Sequence, residues 1–226
     1  MINQPVYKTY TFRRRALHTD LSILDGGDHG NEQPIYYAHS QSCKPKTPDV
    51  TLHEGSDKTG RVVGVSHFRY SLSTMQLGIG DPVNDPSGVV WQEMRRPSRL
   101  SLKCRYAFEF VDSSPALADG GARLDVEKRA AAAVGAATYG GPVKRRFTWQ
   151  RTSSTADGIE STAKKLSLRN YRLSDDDTGE VVAVFIAACL SLTNVGELRI
   201  YQRLSADLDR IVVLSCASIC VKLDRD

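Results

Sequence analysis

Three groups of basic residues are the part of this sequence whose types and spacing could support chemistry. They are Arg13-Arg14-Arg15, then Arg95, Arg96, Arg99, Lys103 and Arg105, then Lys144-Arg145-Arg146. Lys103 and Arg105 are two residues apart, so on a strand both project from one face, as a bidentate phosphate site requires. Each basic residue near an anionic membrane adds ~1 kcal/mol of binding. We therefore predict a site for an anionic phospholipid headgroup. The alternative is that these charges form the solvated outer face of a sheet.

The strand that must carry Lys103 and Arg105 is the clearest in the chain, Arg99 to Phe110. Its apolar residues alternate with its polar ones, which is typical of a sheet with one buried and one wet face. Residues 145–151 repeat the pattern, with Phe147 and Trp149 inward. If these two strands pair, Arg145 or Arg151 would lie near Lys103 and Arg105. Arg99 belongs to the same polar face, so it joins the predicted site.

The remaining chain is read as short strands, eleven or twelve in all, separated by turn signals. Candidate strands lie at 19–24, 35–39, 49–54, 61–68, 71–79, 89–91, 165–173, 180–187 and 197–204. Asp175-Asp176-Asp177-Thr178-Gly179 predicts a β-hairpin. The continuous apolar run at 181–192 predicts a central strand covered on both faces. We expect residues 1–15 to be a lead-in segment, with 1–11 ill-ordered or an edge strand, and 112–142 to be a flexible Ala/Gly-rich insertion.

The last apolar run, about 207–223, is the segment around which these strands can close. An all-round apolar helix is buried in protein or lies in a membrane, and this run is shorter than the roughly 20 apolar residues that a span needs. Asp207 or Ser205 can cap its start, and Asp209 and Lys222 suit the helix dipole. Its β-branched residues leave a buried strand as the alternative. We predict a closed antiparallel barrel, mainly β, around a buried C-terminal helix, in which Cys216 and Cys220 pack as apolar residues.

The totals set broad limits on function. The chain has 226 residues and a net charge of +4, too mild to imply nucleic acid. We expect a single domain over 1–226. The start of the chain lacks a signal-peptide core, so a cytoplasmic protein without a transmembrane segment is expected. The five cysteines form no C-x-x-C pair and the five histidines show no zinc spacing. No hydrolase, P-loop or dinucleotide motif occurs, so no catalytic residue, metal or cofactor is predicted.

Several stretches resemble the tubby-like superfamily, which includes the tubby C-terminal domain, the LURP-one-related proteins and the phospholipid scramblases. Gly-Glu-Leu-Arg-Ile-Tyr (196–201) and Leu-Asp-Arg-Ile-Val-Val-Leu-Ser-Cys-Ala-Ser-Ile (208–219) are similar to the end of that fold. The hairpin Asp-Thr-Gly-Glu-Val-Val-Ala-Val-Phe (177–185) and the pair Tyr-Ala-Phe (106–108) with Phe-Thr-Trp (147–149) add to the similarity. It covers about residues 35–223. It implies a closed barrel of about twelve strands around a central C-terminal helix.

The resemblance also implies a ligand. Tubby domains bind phosphatidylinositol bisphosphate through basic residues that include a Lys-x-Arg on a strand after a glycine. The similar segment here is Gly60-Arg61-Val62-Val63, so Arg61 is implied as a ligand residue. Val63 stands where the family has arginine, which counts against phosphoinositide binding at this exact site. Scramblases carry a membrane segment and calcium-responsive ligands near their C-terminus. The chain up to Asp226 has neither, so scramblase activity is not expected.

We therefore expect a non-catalytic binding or adaptor protein, a monomer that is cytoplasmic and peripheral at membranes. Its partner would be an anionic membrane lipid or another protein. The residues expected to hold the headgroup are Lys103, Arg105, Arg61, Arg145 and Arg99. Two alternatives stay open. One is a hydrolase-type enzyme with a triad in the barrel mouth, because triads need not be local in sequence. The other is a barrel without a small ligand that serves protein interaction.

Overall fold

The computed structural model of the chain describes residues 4–14, 19–26, 33–41, 47–69, 74–96, 105–112, 143–159, 167–188 and 191–225. These residues form twelve strands, two short 3-10 turns (Pro86–Gly88 and Thr155–Asp157) and one long helix, α1 (Ala206–Arg225). The strands are β1 (Lys8–Arg13), β2 (Leu21–Asp25), β3 (Pro34–Ser40), β4 (Val50–Glu54), β5 (Val62–Phe68), β6 (Thr74–Ile79), β7 (Val90–Arg95), β8 (Arg105–Asp112), β9 (Val143–Arg151), β10 (Tyr171–Asp175), β11 (Val181–Ala187) and β12 (Asn194–Ile200).

The strands form a closed barrel in which neighbours in sequence are neighbours in space. Every pair is antiparallel, and β1 pairs with both β2 and β12, which closes the sheet. The predicted closed antiparallel barrel is therefore confirmed. The expectation that residues 1–11 would be ill-ordered or an edge strand is wrong for residues 8–11. Lys8–Arg13 alternates, Tyr10 and Phe12 are fully buried, and closure leaves β1 no free edge.

Helix α1 begins one residue before the predicted start and ends two residues after the predicted end. Every residue from Ile211 to Lys222 is buried, so the helix is enclosed on all sides through this stretch. The backbone N–H of Leu208 donates to Ser205 Oγ (3.4 Å), which caps the first turn. The alternative of a buried strand is wrong for this run. Its length and the charges at its two ends favour a helix despite the β-branched residues.

The helix packs most closely against β5 and β6, with further contacts to β3, β4 and β8. Gly64 on β5 permits this approach, because a Cβ at that position would lie 3.1 Å from Leu214 Cδ2. Large aromatic side chains fill much of the opposite side, among them Phe12 and Trp149. Trp149 Nε1 donates to Ser215 Oγ (2.9 Å), which in turn donates to the Val212 carbonyl (3.0 Å). These two hydrogen bonds fix the position of the helix along its axis relative to β9.

The two described cysteines of α1 agree with their predicted packing role. Cys216 and Cys220 are free thiols, both buried in the core. Burial, and then the neighbouring Cys220, raises the pKa of the Cys216 thiol well above its ordinary value. Cys43, Cys104 and Cys189 lie outside the described residues, as do residues 113–142 of the predicted insertion.

Several strand boundaries differ from the sequence prediction. The predicted pairing of the strands around Phe108 and Phe147 is confirmed as β8–β9, but residues 99–104 lie outside the described chain. The predicted strand at 165–173 is wrong at its start, because Leu168 and Arg169 form a turn and β10 begins at Tyr171. The hairpin is confirmed as β10–β11. The doubly covered strand predicted at 181–192 is confirmed for Val181–Ala187, where Ile159 packs on Val184 and Ile186 on the outer face of β11, but it is wrong at its end, because Leu192 is 86% exposed.

Candidate functional site

The barrel has two ends that differ in charge, and α1 defines them. The helix-start end is where α1 begins, beside the end of β12. The helix-exit end is where α1 terminates. In an up-and-down barrel alternate connections lie at the same end, so the segments after β1, β3, β5, β7, β9 and β11 meet at the helix-exit end. The other connections and the residues before β1 meet at the helix-start end.

The structure does not bring the described members of the predicted site together. Arg105 begins β8 at the helix-exit end, opposite Gln150 on the outer face. Arg145 lies near the start of β9, opposite the buried Phe110, and belongs to the inner face. Arg61 lies just before β5, also at the helix-start end. Arg105 and Arg145 thus differ in both end and face. Lys103 and Arg99 lie outside the described residues.

Arg145 and Arg61 have carboxylate partners within the fold. Arg145 Nε donates to Asp175 Oδ2 (2.9 Å), and Asp175 is 1% exposed. Arg61 Nη2 donates to Glu54 Oε1 (2.9 Å), and this interaction holds the pKa of Glu54 below its ordinary value. Glu54 also lies 3.5 Å from Arg210 of α1. Arg145 lies two and four residues before Phe147 and Trp149, so the alternation of the strand already indicates that it faces inward. The pairing of β9 with β8 then shows which residue it lies opposite.

Basic residues clearly outnumber acidic ones at the helix-exit end. The described basic residues there are Arg13, Arg14, Arg69, Arg95, Arg96, Arg105, Arg151, Arg169, Lys222 and Arg225. The described acidic residues there are Asp20, Asp49, Glu93, Asp157 and Asp224. Arg13, Arg69 and Arg105 are exposed, and among the described residues neither Arg13 nor Arg105 has a carboxylate partner. This end therefore presents uncompensated positive charge to solvent.

Two leucines project from the same end. Leu168, in the turn before β10, is 64% exposed, and Leu192, between β11 and β12, is 86% exposed. Single exposed apolar residues are common on protein surfaces and carry no message alone. Beside a basic rim, however, exposed leucines are typical of surfaces that touch a membrane. The sequence analysis did not select these residues, although each is an apolar side chain in a segment between strands.

A second group of charges at the helix-exit end is structural. Arg225 Nη1 donates to Asp49 Oδ1 (2.7 Å), and Arg225 Nη2 donates to Ser40 Oγ (3.0 Å) and to the Gln41 carbonyl (2.7 Å). Asp224 bridges Arg14 and Arg169. These bonds tie the end of α1 to both sides of the barrel, which fixes the helix and leaves the exposed arginines around it.

A cavity of about 120 Å³ opens beside α1 at the helix-exit end. It lies on the side away from the β3–β6 wall, between the end of the helix and the strands β10–β12 and β1. The buried Phe185 and Cys220 and the partly buried Val195 give it an apolar floor, and Tyr171 and Asn194 add polar groups to its lining. Arg14 and Arg169 line the cavity nearer to solvent. An apolar floor with cations at the mouth suits an anion that carries an apolar group.

At the helix-start end acidic residues outnumber basic ones, and many of them stabilise turns. Asp57 Oδ1 accepts from the Thr59 N–H (2.8 Å) and Asp81 Oδ1 from the Val83 N–H (2.9 Å). Asp175 Oδ1 accepts from the Asp177 N–H (2.8 Å) in the β10–β11 hairpin. These are the Asx turns that the residue types favour. The hairpin chemistry predicted for Asp175-Asp176-Asp177 is confirmed.

A larger opening of about 880 Å³ lies beside the first turn of α1. Tyr10 donates to Asp209, and Lys8 Nζ lies 3.4 Å from the same carboxylate. Burial and the Asp209 charge raise the pKa of Tyr10 and that of Tyr36 above their ordinary values. Lining groups of both signs meet here, Lys8 and Arg210 with Asp209. The opening thus has no clear preference for an anion or a cation.

The described residues give the hydrolase alternative no support. His39 Nδ1 lies 3.1 Å from Asp20 Oδ1, which resembles the orienting pair of a triad. In the part of the chain that the structure describes, however, no serine or cysteine is hydrogen-bonded to His39, His53 or His67. Within the same residues no group of histidine, cysteine and acidic side chains is placed to hold a metal ion.

Comparison with protein families, with curated proteins and with solved structures finds no match to this chain. The tubby-like resemblance therefore stays a prediction. Among the described residues no helix has both the length and the apolar character to cross a bilayer.

Proposed function

We propose that this protein is a non-catalytic membrane-binding domain whose helix-exit end docks on anionic phospholipid headgroups. The observation that carries the proposal is the gathering of uncompensated arginines at one end of the barrel, beside two projecting leucines. Basic residues close to an anionic membrane contribute ~1 kcal/mol each. The tubby-like resemblance points to the same ligand class. Of the described residues that the sequence predicts for the site, only Arg105 belongs to this end, and Arg13 and Arg69 are added to it.

Charged side chains and apolar side chains contribute to membrane binding in different ways. Arg13, Arg69 and Arg105 are exposed on separate strands, so they can meet several headgroups at once. Leu168 and Leu192 can enter the boundary between headgroups and acyl chains, as apolar side chains of peripheral proteins do. These exposed arginines create a positive electrostatic field at this end of the barrel and do not form one stereospecific site. We therefore expect selection by membrane charge more than by headgroup structure.

The test is sedimentation with vesicles of phosphatidylcholine alone and with vesicles that also contain phosphatidylserine. Binding should require phosphatidylserine and should weaken as salt rises, because ions screen exposed charges. The Leu168→Ser/Leu192→Ser variant should bind about tenfold or more weakly, since each buried leucine contributes roughly 1.5–3 kcal/mol. Val83→Ser is the matched control, because Val83 is 83% exposed at the helix-start end. Equal binding to both vesicle types, or equal loss in the control, would contradict the proposal.

A further inference from the structure

We infer that the helix-exit cavity is a binding site for one amphiphilic anion, with its acid group at Arg14 and Arg169 and a short apolar chain on the floor. This inference deepens the proposed membrane function by giving that end a specific site in addition to its general charge. The anion can come from a lipid or be a free carboxylate or phosphate ester. The chemistry that the cavity selects is the same in each case.

The cavity exists because of how the helix packs. Helix α1 lies against β3–β6, where Gly64 allows close approach, and away from β10–β12. Near its end the helix presents Cys220 and Leu223 to this gap. Ala187, a small residue near the end of β11, lines it from the strand side. A small side chain on β11 therefore leaves open a volume that large aromatic side chains fill in other parts of the barrel.

The size of the cavity limits what it can hold. At about 120 Å³ the cavity is somewhat smaller than the ~150 Å³ of an engineered cavity that binds benzene. It can therefore enclose a few methylene groups, while the acid group lies at the open mouth. Phe185 and Cys220 on the floor are almost completely buried and present apolar surface. A purely ionic ligand would leave that surface without a partner.

The charge at the mouth favours an anion. Arg14 and Arg169 both pair with Asp224, so two guanidinium groups share one carboxylate and one positive charge is in excess. Arg14 Nε is buried and has no hydrogen-bond partner among the described residues. A buried donor without an acceptor is costly, which makes an anion at this position favourable. Guanidinium groups also bind carboxylate and phosphate groups with two parallel hydrogen bonds.

The experiment needs no membrane. Hexanoate and butyl phosphate are titrated into the full chain and followed by amide-resolved NMR, with acetate and 1-hexanol as probes that lack the chain or the charge. Both amphiphiles should shift amides around the cavity and bind at least about tenfold more tightly than acetate or hexanol. Arg169→Gln should weaken hexanoate about tenfold, since one hydrogen bond to a charged group is lost. Arg69→Gln removes a charge from the same end without lining the cavity and should leave hexanoate binding unchanged.

The Ala187→Leu variant tests ligand binding in the cavity separately from binding to a membrane surface. The added carbons should fill the cavity and abolish hexanoate binding, while binding to phosphatidylserine vesicles persists because no charge changes. Equal hexanoate binding by the parent chain, Ala187→Leu and Arg169→Gln would overturn the inference, as would no binding by the parent chain. If Ala187→Leu fails to fold, Arg169→Gln against Arg69→Gln decides, because the Arg169 side chain is 49% exposed, Arg69 is exposed, and Asp224 keeps Arg14 as a partner when Arg169 is replaced. A parent chain that binds hexanoate but not vesicles would contradict the membrane proposal and leave the cavity site intact.

Discussion

The two ends of the barrel use their charges in different ways. At the helix-start end, Asp57, Asp81 and Asp175 accept hydrogen bonds from backbone N–H groups of their own turns. At the helix-exit end, Arg13 and Arg105 stand in solvent without a carboxylate partner among the described residues. Charge that stabilises a turn is explained by the fold. Like charges gathered on a surface repel one another and destabilise the compact state, so the exposed arginines need an explanation outside the fold.

The cavities at the two ends also differ in the charge of the residues that line them. The large opening at the helix-start end is lined by residues of both signs, and the partly buried carboxylate of Asp209 already has Tyr10 and Lys8 as partners. The smaller helix-exit cavity has only cations among its charged lining residues. Volume alone would select the first as the binding site. Each has one buried nitrogen without a partner among the described residues, Gln202 Nε2 in the first and Arg14 Nε in the second, so it is the sign of the lining charges that selects the second.

The largest effect on stability is expected at the helix-start end, from Asp175→Ala. Asp175 is buried, receives Arg145 and closes the β10–β11 turn, so its loss leaves a partly buried guanidinium without its carboxylate. Breaking such a pair costs roughly 3–5 kcal/mol when it is fully buried. Since Arg145 is 29% exposed, we expect about 3 kcal/mol in chemical denaturation. Asp177→Ala, an exposed neighbour in the same turn, should cost less than about 0.5 kcal/mol.

A smaller effect is expected from Asp20→Asn, which tests a structural carboxylate at the helix-exit end. Asp20 accepts from Tyr37 Oη (2.6 Å) and from the Ser40 N–H (2.7 Å). Burial opposes its ionisation, but these bonds and His39 hold the pKa of Asp20 below its ordinary value of 3.8. A lowered folded-state pKa contributes stability above the unfolded-state pKa, and this is lost as pH falls through the folded-state pKa.

We therefore expect Asp20→Asn to lose roughly 1–2 kcal/mol at neutral pH, in line with hydrogen bonds to a charged group. Its difference from the parent chain should shrink below about pH 4, where the carboxyl protonates. Urea titrations at neutral and acidic pH measure this directly. A difference that stays constant with pH would show that the carboxylate charge is not what stabilises the loop.

The smallest effect on stability is expected from the exposed arginines themselves. Arg13→Gln, Arg69→Gln and Arg105→Gln should each change the free energy of unfolding by less than about 0.5 kcal/mol, as surface substitutions do. The combined variant should be as stable as the parent chain or slightly more so, because it relieves repulsion. A loss of several kcal/mol would mean that these residues are structural, and would remove the contrast between the ends.

The sequence predicts the fold better than it predicts the site, and particular residues show why. Strict alternation around Phe108 and Phe147 reports burial directly, and so does the all-round apolar run that becomes α1. The sequence does not predict that β1 is paired on both sides, because its short alternation around Tyr10 follows a polar start. Closure of the barrel, which no local pattern reports, is what makes it a central strand.

The site was harder to predict because it depends on register and on barrel ends. The sequence predicts that Arg145 lies near Lys103 and Arg105, but Arg145 shares the parity of Phe147 and so belongs to the inner face, whereas Arg105 belongs to the outer face. Only the order of strands in space shows that Arg13, Arg69 and Arg105 belong to one end. Leu168 and Leu192 gave no periodic signal, since they lie between strands.

Vesicle binding by two triple variants tests the central claim most directly. Arg13→Gln/Arg69→Gln/Arg105→Gln removes three exposed charges from the helix-exit end. Lys58→Gln/Lys144→Gln/Arg203→Gln removes the same number of exposed charges from the helix-start end. At ~1 kcal/mol for each cation, the first variant should bind phosphatidylserine vesicles about 100-fold more weakly, and the second should bind like the parent chain. Equal losses in the two variants, or no loss in the first, would contradict the assignment of the helix-exit end as the membrane-binding surface.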